Sequence, residues 1–323
     1  MEDKPLLAVD LGGTHVRCGL ARIEHGPRVR WLRRAQEDTA RYAGLEQALA
    51  AFLGAGPERP ARAAVAVAGP TDGRSAQMTN LPWRLDAAAL GDALRMPLRL
   101  LNDFAAAAHG LAALQGDELV FLQEGSVDPA GTQVLLGAGT GLGVALVAGE
   151  GGARQVVAGE GGHGDFAPND AWEAKLWAFL HARHGHVSWE RVVSGQGLAA
   201  LHEFVCAERG LPDRYAGSAD KPAAIGAAAL AGADAAAREA GEMFARVYGA
   251  VAGNLALLTL PRGGVYLGGG ITPKLLPLLQ SHFLPAFRAK GRFASLLQGF
   301  PVAVVRADDV GLRGAALYAA RAG

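Results

Sequence analysis

Apolar residues fall along this chain in short runs divided by glycine-rich turns, and the runs predict an α/β protein. Leu6-Leu7-Ala8-Val9 reads as a strand and Asp10-Leu11-Gly12-Gly13-Thr14 as a turn. Val16 to Ile23 reads as a returning strand with Val16, Cys18 and Leu20 on one face, which predicts a β-hairpin. Residues 38–53 read as helical, with Leu45, Leu49, Phe52 and Leu53 on one side. Ala63 to Ala68 predicts a strand, Gly69 to Gly73 a turn, and Asp86 to Arg95 a short helix. Leu98 to Leu101 is a buried strand that runs into a helix, Ala105 to Leu114, with Asn102 and Asp103 at the junction.

The second half opens in the same way. Thr132 to Leu136 predicts a strand, Gly137-Ala138-Gly139-Thr140-Gly141-Leu142-Gly143 a turn, and Val144 to Val147 a returning strand. Two halves beginning on one device suggest duplicated lobes facing each other across a cleft, able to hold a triphosphate from both sides. Helices follow at Ala171 to His184, at 196–208 and at Asp234 to Leu258. In the last of these Phe244, Val247, Val251 and Leu255 form the core stripe, and Gly249 and Gly253 allow close approach of a neighbour. Gly264 to Leu267 predicts a strand, and Thr272 and Pro273 the N-cap and first position of another helix. Pro301 to Arg306 is a last strand and Val310 to Ala320 a last helix.

Composition narrows the class. With 323 residues, two domains are expected, and 50% hydrophobic residues suffice for a large core. Lys+Arg 31 against Asp+Glu 31 leaves no net charge, which argues against nucleic acid or a polybasic membrane patch as partner. Two cysteines make neither a disulfide framework nor a zinc spacing, so a reduced, cytoplasmic setting is expected. Met1 to Lys4 does not read as a signal peptide, and segment 222–238 is too weakly apolar to span a bilayer.

Candidate chemistry lies at the turns. A carboxylate at the carboxyl end of a strand, as Asp103 is, sits where open α/β sheets bind ligands, although Asp also caps helices. Gly12 and Gly13 let the backbone approach an anion, and Thr14 adds a hydroxyl. Asp10 would repel a bare phosphate and makes best sense beside Mg²⁺, directly or through water. Gly139-Thr140-Gly141-Leu142-Gly143 is not a dinucleotide fingerprint, because a strand pattern rather than a helix follows it. Glu160 and His163, three apart among four glycines, have no stable helix to lie on. They read as a solvated loop, an incomplete metal pair or a polyol site, and Glu190 gains interest as a partner for Glu160. Gly268-Gly269-Gly270, between strand and helix, offers a flat group such as adenine a backbone surface, or is simply a tight turn. Met78-Thr79-Asn80-Leu81-Pro82-Trp83 is a loop with an exposed amide, or a plain turn with Trp83 in the core.

With these pieces in order, the chain resembles the bacterial glucokinase family, part of the larger group of sugar kinases, actin and heat-shock chaperone ATPases. The resemblance covers nearly the whole length. It rests on Asp10-Leu-Gly-Gly-Thr14, Thr79-Asn-Leu-Pro-Trp83, Asn102-Asp-Phe104, Gly137-Ala-Gly-Thr-Gly-Leu-Gly143, Gly159-Glu-Gly-Gly-His-Gly-Asp-Phe-Ala-Pro168, His186-Val-Ser-Trp-Glu-Arg191 and Gly263-Gly-Val-Tyr-Leu-Gly-Gly-Gly270. It implies an α/β two-lobe actin-like ATPase (ribonuclease H-like) fold with a deep inter-lobe cleft. The small lobe would be 1–112 plus 304–323 and the large lobe 113–303. It implies ATP-dependent phosphorylation of the glucose 6-hydroxyl, the first step of glycolysis, with Asp103 as catalytic base. Asn80, Asn102, Glu160, His163 and Glu190 would bind the sugar with Asp103. Asp10, Gly12, Gly13, Thr14, Gly139, Thr140 and Gly141 would hold the phosphates, with Mg²⁺ at Asp10 and the adenosine by Gly268 and Gly269. A cytoplasmic homodimer is implied too.

Two departures stand out. The broader sugar-kinase and repressor family carries a cysteine-rich zinc motif after its histidine, but Asp165 to Asp170 has no cysteine, so no structural zinc is expected. Gly164 follows His163, which bears on the choice among glucose, mannose, glucosamine and N-acetyl sugars. A sugar-sensing regulator of the same fold would need an added DNA-binding helix pair, for which the first strand at Leu6 leaves no room. A chaperone-like ATPase would have no use for the Asn102/Asp103 and Glu160/His163/Glu190 sets.

Overall fold

The first hairpin forms as its alternation implies. In the computed structural model, which describes residues 4–78, 81–149 and 154–321, β1 (Leu6–Leu11) pairs antiparallel with β2 (His15–Ile23), and Leu11 lies opposite Val16. β3 (Val29–Asp38) extends the hairpin at the sheet edge. Half of residues 38–53 is therefore not helical as expected: a single 3₁₀ turn, Thr39–Arg41, precedes α1 (Leu45–Gly54). Position 38 ends an edge strand whose exposed residues, Arg30, Arg34, Gln36 and Asp38, are all polar, and such a face carries no apolar period to read. β4 (Arg62–Val67) then pairs parallel to β1. A small ribbon of β5 (Ser75–Gln77) and β6 (Arg84–Asp86) flanks the loop with Trp83, which is buried, and leads into α2 (Ala87–Leu94). β7 (Leu98–Asn102) pairs parallel to β4 and passes directly into α3 (Asp103–Gly110), two residues earlier than expected. The five strands run in the order β3-β2-β1-β4-β7.

The C-terminal helix, Val310–Arg321, packs on this sheet and on α3. Two glycines make that packing possible. A Cβ on Gly314 would collide with the Ala106 carbonyl, and one on Gly110 with the Val310 carbonyl, so the helices touch backbone to backbone.

The second sheet contains β8 (Leu119–Gln123), β9 (Gln133–Ala138), β10 (Leu142–Ala148) and β11 (Gln155–Gly159), joined later by β12 and β13. Helices α4 (Ala171–His184), α5 (Gly195–Arg209), α6 (Lys221–Ala231) and α7 (Ala235–Thr259) come before β12 (Gly264–Gly268). α8 (Leu276–Arg288), α9 (Ala294–Gln298) and β13 (Val302–Val305) complete it. The order is β11-β10-β9-β12-β13-β8, with β9 antiparallel to β10 and parallel to β12. The run β11-β10-β9-β12-β13 repeats the order of the first sheet, as the paired glycine turns implied.

α7 is the buried axis of this part, with Phe244, Val247 and Val251 in its core. Side chains on Gly249 and Gly253 would strike the backbone of Phe283 and Phe287 on α8. α8 itself begins at Leu276, not at Thr272. Thr272 is buried, and its hydroxyl is turned to the Gly268 carbonyl instead of capping a helix. Two compact units result: the described residues of Met1–Gly116, Val156–Ala158 and Ala307–Gly323, and those of Asp117–Gln155 and Gly159–Arg306. Among the described residues no helix is long and apolar enough to cross a membrane.

Candidate active site

In the first unit the candidate residues share one sheet edge. Leu11, Val67 and Asn102 are register neighbours at the carboxyl ends of β1, β4 and β7. The hairpin tip and Asp103 are thus two strand spacings apart, roughly 10 Å. The tip is tied from below: Gly12 N–H donates to the His15 carbonyl at 3.0 Å, and the Thr39 hydroxyl to the Gly13 carbonyl at 3.1 Å. A Cβ on Gly12 would meet only the His15 carbonyl oxygen, at 3.6 Å, so neither backbone nor neighbours demand glycine there. Glycine at such a place keeps room for something that is not protein.

Asp10 sits at this tip with its carboxylate 3.9 Å from the Arg17 guanidinium. Burial raises its pKa and Arg17 offsets only part of that. A lone carboxylate suits Mg²⁺, which is commonly held by one or two carboxylates together with substrate phosphates. Among the described residues no group of three or more His, Cys, Asp or Glu side chains is placed to hold a metal by itself.

At the other end of the edge, Asn102 is the N-cap of α3. Its Oδ1 accepts the N–H groups of Phe104 and Ala105, at 2.9 and 3.1 Å, and its Nδ2 donates to the Gly69 carbonyl. The capping considered for Asp103 is therefore done mainly by Asn102. Asp103 occupies the first helical position, and its Oδ1 accepts the Phe104 N–H at 2.8 Å, which fixes the carboxylate's direction. Asn80, the remaining sugar candidate of this unit, lies outside the described residues.

In the second unit Glu160, His163 and Glu190 come together. His163 Nε2 is 3.8 Å from Glu160 Oε2, and its Nδ1 is 4.0 Å from Glu190 Oε1. Glu160 precedes and His163 ends one 3₁₀ turn, Gly161–His163. Three ties hold that turn against the segment bearing Glu190. Trp189 N–H donates to the Gly164 carbonyl and Phe166 N–H to the Val187 carbonyl, each at 2.9 Å, and His186 meets Asp165 at 2.8 Å. Glu190 Oε2 also accepts the Leu142 N–H at 2.9 Å, and a Cβ on Gly141 would collide with that carboxylate. Gly141 thus has a reason of its own: it lets a carboxylate dock at the second hairpin tip. Gly139, by contrast, has open space around it, as Gly12 does. This cluster offers two carboxylates and an imidazole within one small area, a donor and acceptor set suited to a polyol.

Beside the same tip lies a pocket of about 550 Å³, lined by Gly139, Thr140, Gly270 and Ile271 and walled by α5 and α6. Its walls are mainly apolar, with Pro222, Gly226 and Leu230 on α6, while Gln196, Asp220 and Lys274 add polar groups. Gly270 and Ile271, rather than Gly268 and Gly269, line it among the described residues. Gly268 is buried at the end of β12, and Gly269, at φ 85°, packs on the Ala138 backbone. Sequence reading missed the α6 wall, because Lys221–Ala231 is an alanine-rich stretch with no apolar stripe.

Two sheets that share a five-strand order, each containing a glycine-tipped hairpin, fit the actin-like ATPase fold, and the solved structures that match the chain put it in the class of sugar kinases. Within that class the chain belongs to the Glucokinase family, whose family model matches residues 7–322. It is 40% identical to the glucokinase of Nostoc sp. over 339 aligned positions, 98% of this chain and 99% of that one. The crystal structure of a glucokinase from an Antarctic psychrotroph superposes with a TM-score of 0.89 at 30% identity, covering 100% of both chains. A ROK family glucokinase from Streptomyces griseus, solved in complex with glucose and AMPPNP, shares the fold with a TM-score of 0.66 at 22% identity over 98% of this chain and 99% of that one.

Proposed function

We propose that this kinase transfers the γ-phosphoryl group of ATP to the 6-hydroxyl of glucose, with Asp103 accepting the hydroxyl proton as the oxygen attacks. The observation that carries the proposal is the shared sheet edge. One end presents a backbone turn kept open by Gly12, and the other an oriented carboxylate. A positioned base is worth about 10²–10⁴-fold. The tips, Gly12 to Thr14 and Gly139 to Gly141, hold the phosphates, and Asp10 would hold Mg²⁺ for charge neutralisation there. The Gly12 and Gly139 N–H groups are bonded within their own turns, while the Thr14 and Thr140 hydroxyls, unbonded among the described residues, are free to donate. Glu160, His163 and Glu190 bind the sugar hydroxyls, aided by Asn80 and by Asn102 through its amide. The pocket at Gly139 and Ile271 takes the nucleoside. The reading extends to a cytoplasmic homodimer acting at the entry of glucose into glycolysis.

The test is a sugar panel with ATP and Mg²⁺, following both ADP release and sugar phosphate. Glucose-dependent turnover that falls at least about 100-fold in Asp103→Ala, with the glucose KM within a few-fold, is the expected result. Sugar-independent ADP release would favour a chaperone-like ATPase. Near-normal turnover in Asp103→Ala would remove that residue from its role. A better kcat/KM on mannose or an N-acetyl sugar would keep the reaction and change the substrate.

A further inference from the structure

The nucleoside pocket has two helical walls. α5 is tied to the hairpin tip by the Gly195 N–H, which donates to the Gly139 carbonyl at 2.8 Å, whereas α6 has no hydrogen bond to that tip among the described residues. α5 contributes Gly195, Gln196 and Leu198 from its first turn, and α6 contributes Pro222, Ala223, Gly226, Ala227 and Leu230. α6 begins right at the rim, where Asp220 lines the pocket and caps the helix by accepting the Ala223 N–H at 3.1 Å. The next residue, Lys221, is absent from the lining and has a side chain only 18% exposed. Its ammonium lies 2.7 Å from Glu203 Oε1 on α5 and 2.7 Å from Asp213 Oδ2 in the connecting loop. Arg183 of α4 holds the other oxygen of Glu203 at 2.7 Å, and the Tyr215 N–H donates to Asp213 Oδ1 at 3.0 Å. One cation thus links the α5 wall, the α5–α6 loop and the start of the α6 wall.

The energetics favour a device that holds position. Burial pulls the Lys221 pKa down, but the hydrogen bonds to Asp213 and Glu203 outweigh it, and the ammonium ends above its ordinary value. Burial likewise raises Glu203 and Asp213, yet both finish below their ordinary values, Glu203 through Lys221 and Arg183 and Asp213 through Lys221 and the Tyr215 N–H. Removing the lysine leaves Glu203 to Arg183 and Asp213 to the Tyr215 N–H and His202, and takes away the one group that joins the two half-sheltered carboxylates, a larger loss than that of an exposed ion pair. The nearest relief is for the loop and the first turn of α6 to swing out to water, and that turn is the pocket rim.

We propose that Lys221 is a positioning residue of the donor site, fixing the spacing of the two helical walls and through it the affinity for the nucleoside part of the phosphoryl donor. The proposal rests on reading this pocket as the donor site. Lys221 touches no reacting atom, so its loss weakens binding in ground state and transition state alike, raising KM with kcat preserved.

The experiment compares Lys221→Met, Lys221→Arg and Ala227→Trp with the parent chain. ATP is varied at saturating glucose, glucose at saturating ATP, and ADP is titrated calorimetrically without sugar. Ala227→Trp fills the pocket and tests the pocket reading alone. In Lys221→Met the ATP KM and the ADP Kd should both rise about tenfold, a 1.4 kcal/mol effect, with kcat and the glucose KM within twofold. Lys221→Arg should recover most of the loss. If Ala227→Trp weakens ATP and Lys221→Met does not, the proposal is overturned. If Ala227→Trp leaves ATP and ADP unaffected, the pocket reading falls and the proposal with it. A merely structural lysine would lower kcat, raise both KM values and reduce Tm together. Should Lys221→Met not fold, Glu203→Gln, which keeps the Asp213 contact, is read on the same scale.

Discussion

Gly162 offers a graded test of the sugar cluster. It lies in the turn between Glu160 and His163, and it is buried against the second hairpin. A Cβ there would collide with the Leu142 carbonyl oxygen, with the Leu142 carbonyl carbon at 3.0 Å as the next neighbour. These are backbone atoms of β10, so no side chain can swing aside. Relief requires the turn to lift by about 1 Å, given how little free volume a packed interior leaves. A displacement of that size costs on the order of 100-fold in rate when it moves groups that orient a substrate. Gly162→Ala should therefore lose about 100-fold in kcat/KM for glucose while its ATP KM stays near normal. Overpacking adds about 1–3 kcal/mol of destabilisation, visible as a Tm lowered by several degrees. Two neighbours calibrate the result. Gly159 has open space where its Cβ would stand, so Gly159→Ala should behave as the parent. At Gly161 the nearest atoms belong to the Val144 side chain at 3.3–3.4 Å, so Gly161→Ala should fall between the two. Steady-state kinetics on the three folded variants decide the matter. A Gly162→Ala enzyme within about threefold of the parent would show that the turn's position does not govern catalysis.

Gly139→Ala meets no neighbour, so it should leave the circular dichroism spectrum and Tm unchanged while raising the ATP KM several-fold; an unchanged KM would mean that no phosphate approaches that backbone. Asp10 has a folded pKa above its ordinary value, so the folded state holds its proton more tightly and loses stability as pH rises through the ordinary carboxylate range. Asp10→Asn should then be more stable than the parent in urea at pH 7 although it is impaired in turnover, and equal or lower stability would refute the burial argument. His202 is fully buried, and burial lowers its pKa more than Asp213 and Asp234 raise it. Its contribution to stability is complete above the ordinary histidine pKa of about 6.5 and is lost as pH falls below that, because the unfolded chain then binds the extra proton. Urea midpoints at pH 7.5 and 5.5 should differ more in the parent than in His202→Gln, and parallel curves would exclude the effect.

What the sequence disclosed and what it hid follow one physical division. Both hairpin tips were legible because glycine clusters interrupt apolar alternation, and the second strand after each tip kept that alternation. α4 and α7 were legible because a stripe of large apolar residues must face a core. β3 was invisible because it is an edge strand with a polar face, and a helix was read across its end. The start of α8 was misplaced because Thr272 and Pro273 imitate a helix start. The threonine hydroxyl instead serves a buried carbonyl, a tertiary demand that local spacing does not encode. Among the site residues, the sequence left open whether Asp103 did more than cap α3, and nothing in it pointed to Asn102 as the cap. The structure gives most of that work to the Asn102 amide, with the Asp103 carboxylate sharing the Phe104 N–H. The Glu203, Asp213 and Lys221 set had no signature, since its spacings match no local motif and the helix it anchors is mostly alanine.

The contact of Gly314 with Ala106 joins two stretches separated by the whole second unit. The helix that carries Asp103 therefore acquires its packing partner only after some two hundred intervening residues have been made. Closing so long a loop adds little to the equilibrium cost, which grows only with the logarithm of length, but it delays the event. During synthesis the earlier-made part must wait, with one sheet face uncovered, for a segment that arrives last. Conditions that slow translation of the second unit should therefore prolong the exposure of that face to chaperones and to aggregation, even when the finished molecule is fully stable.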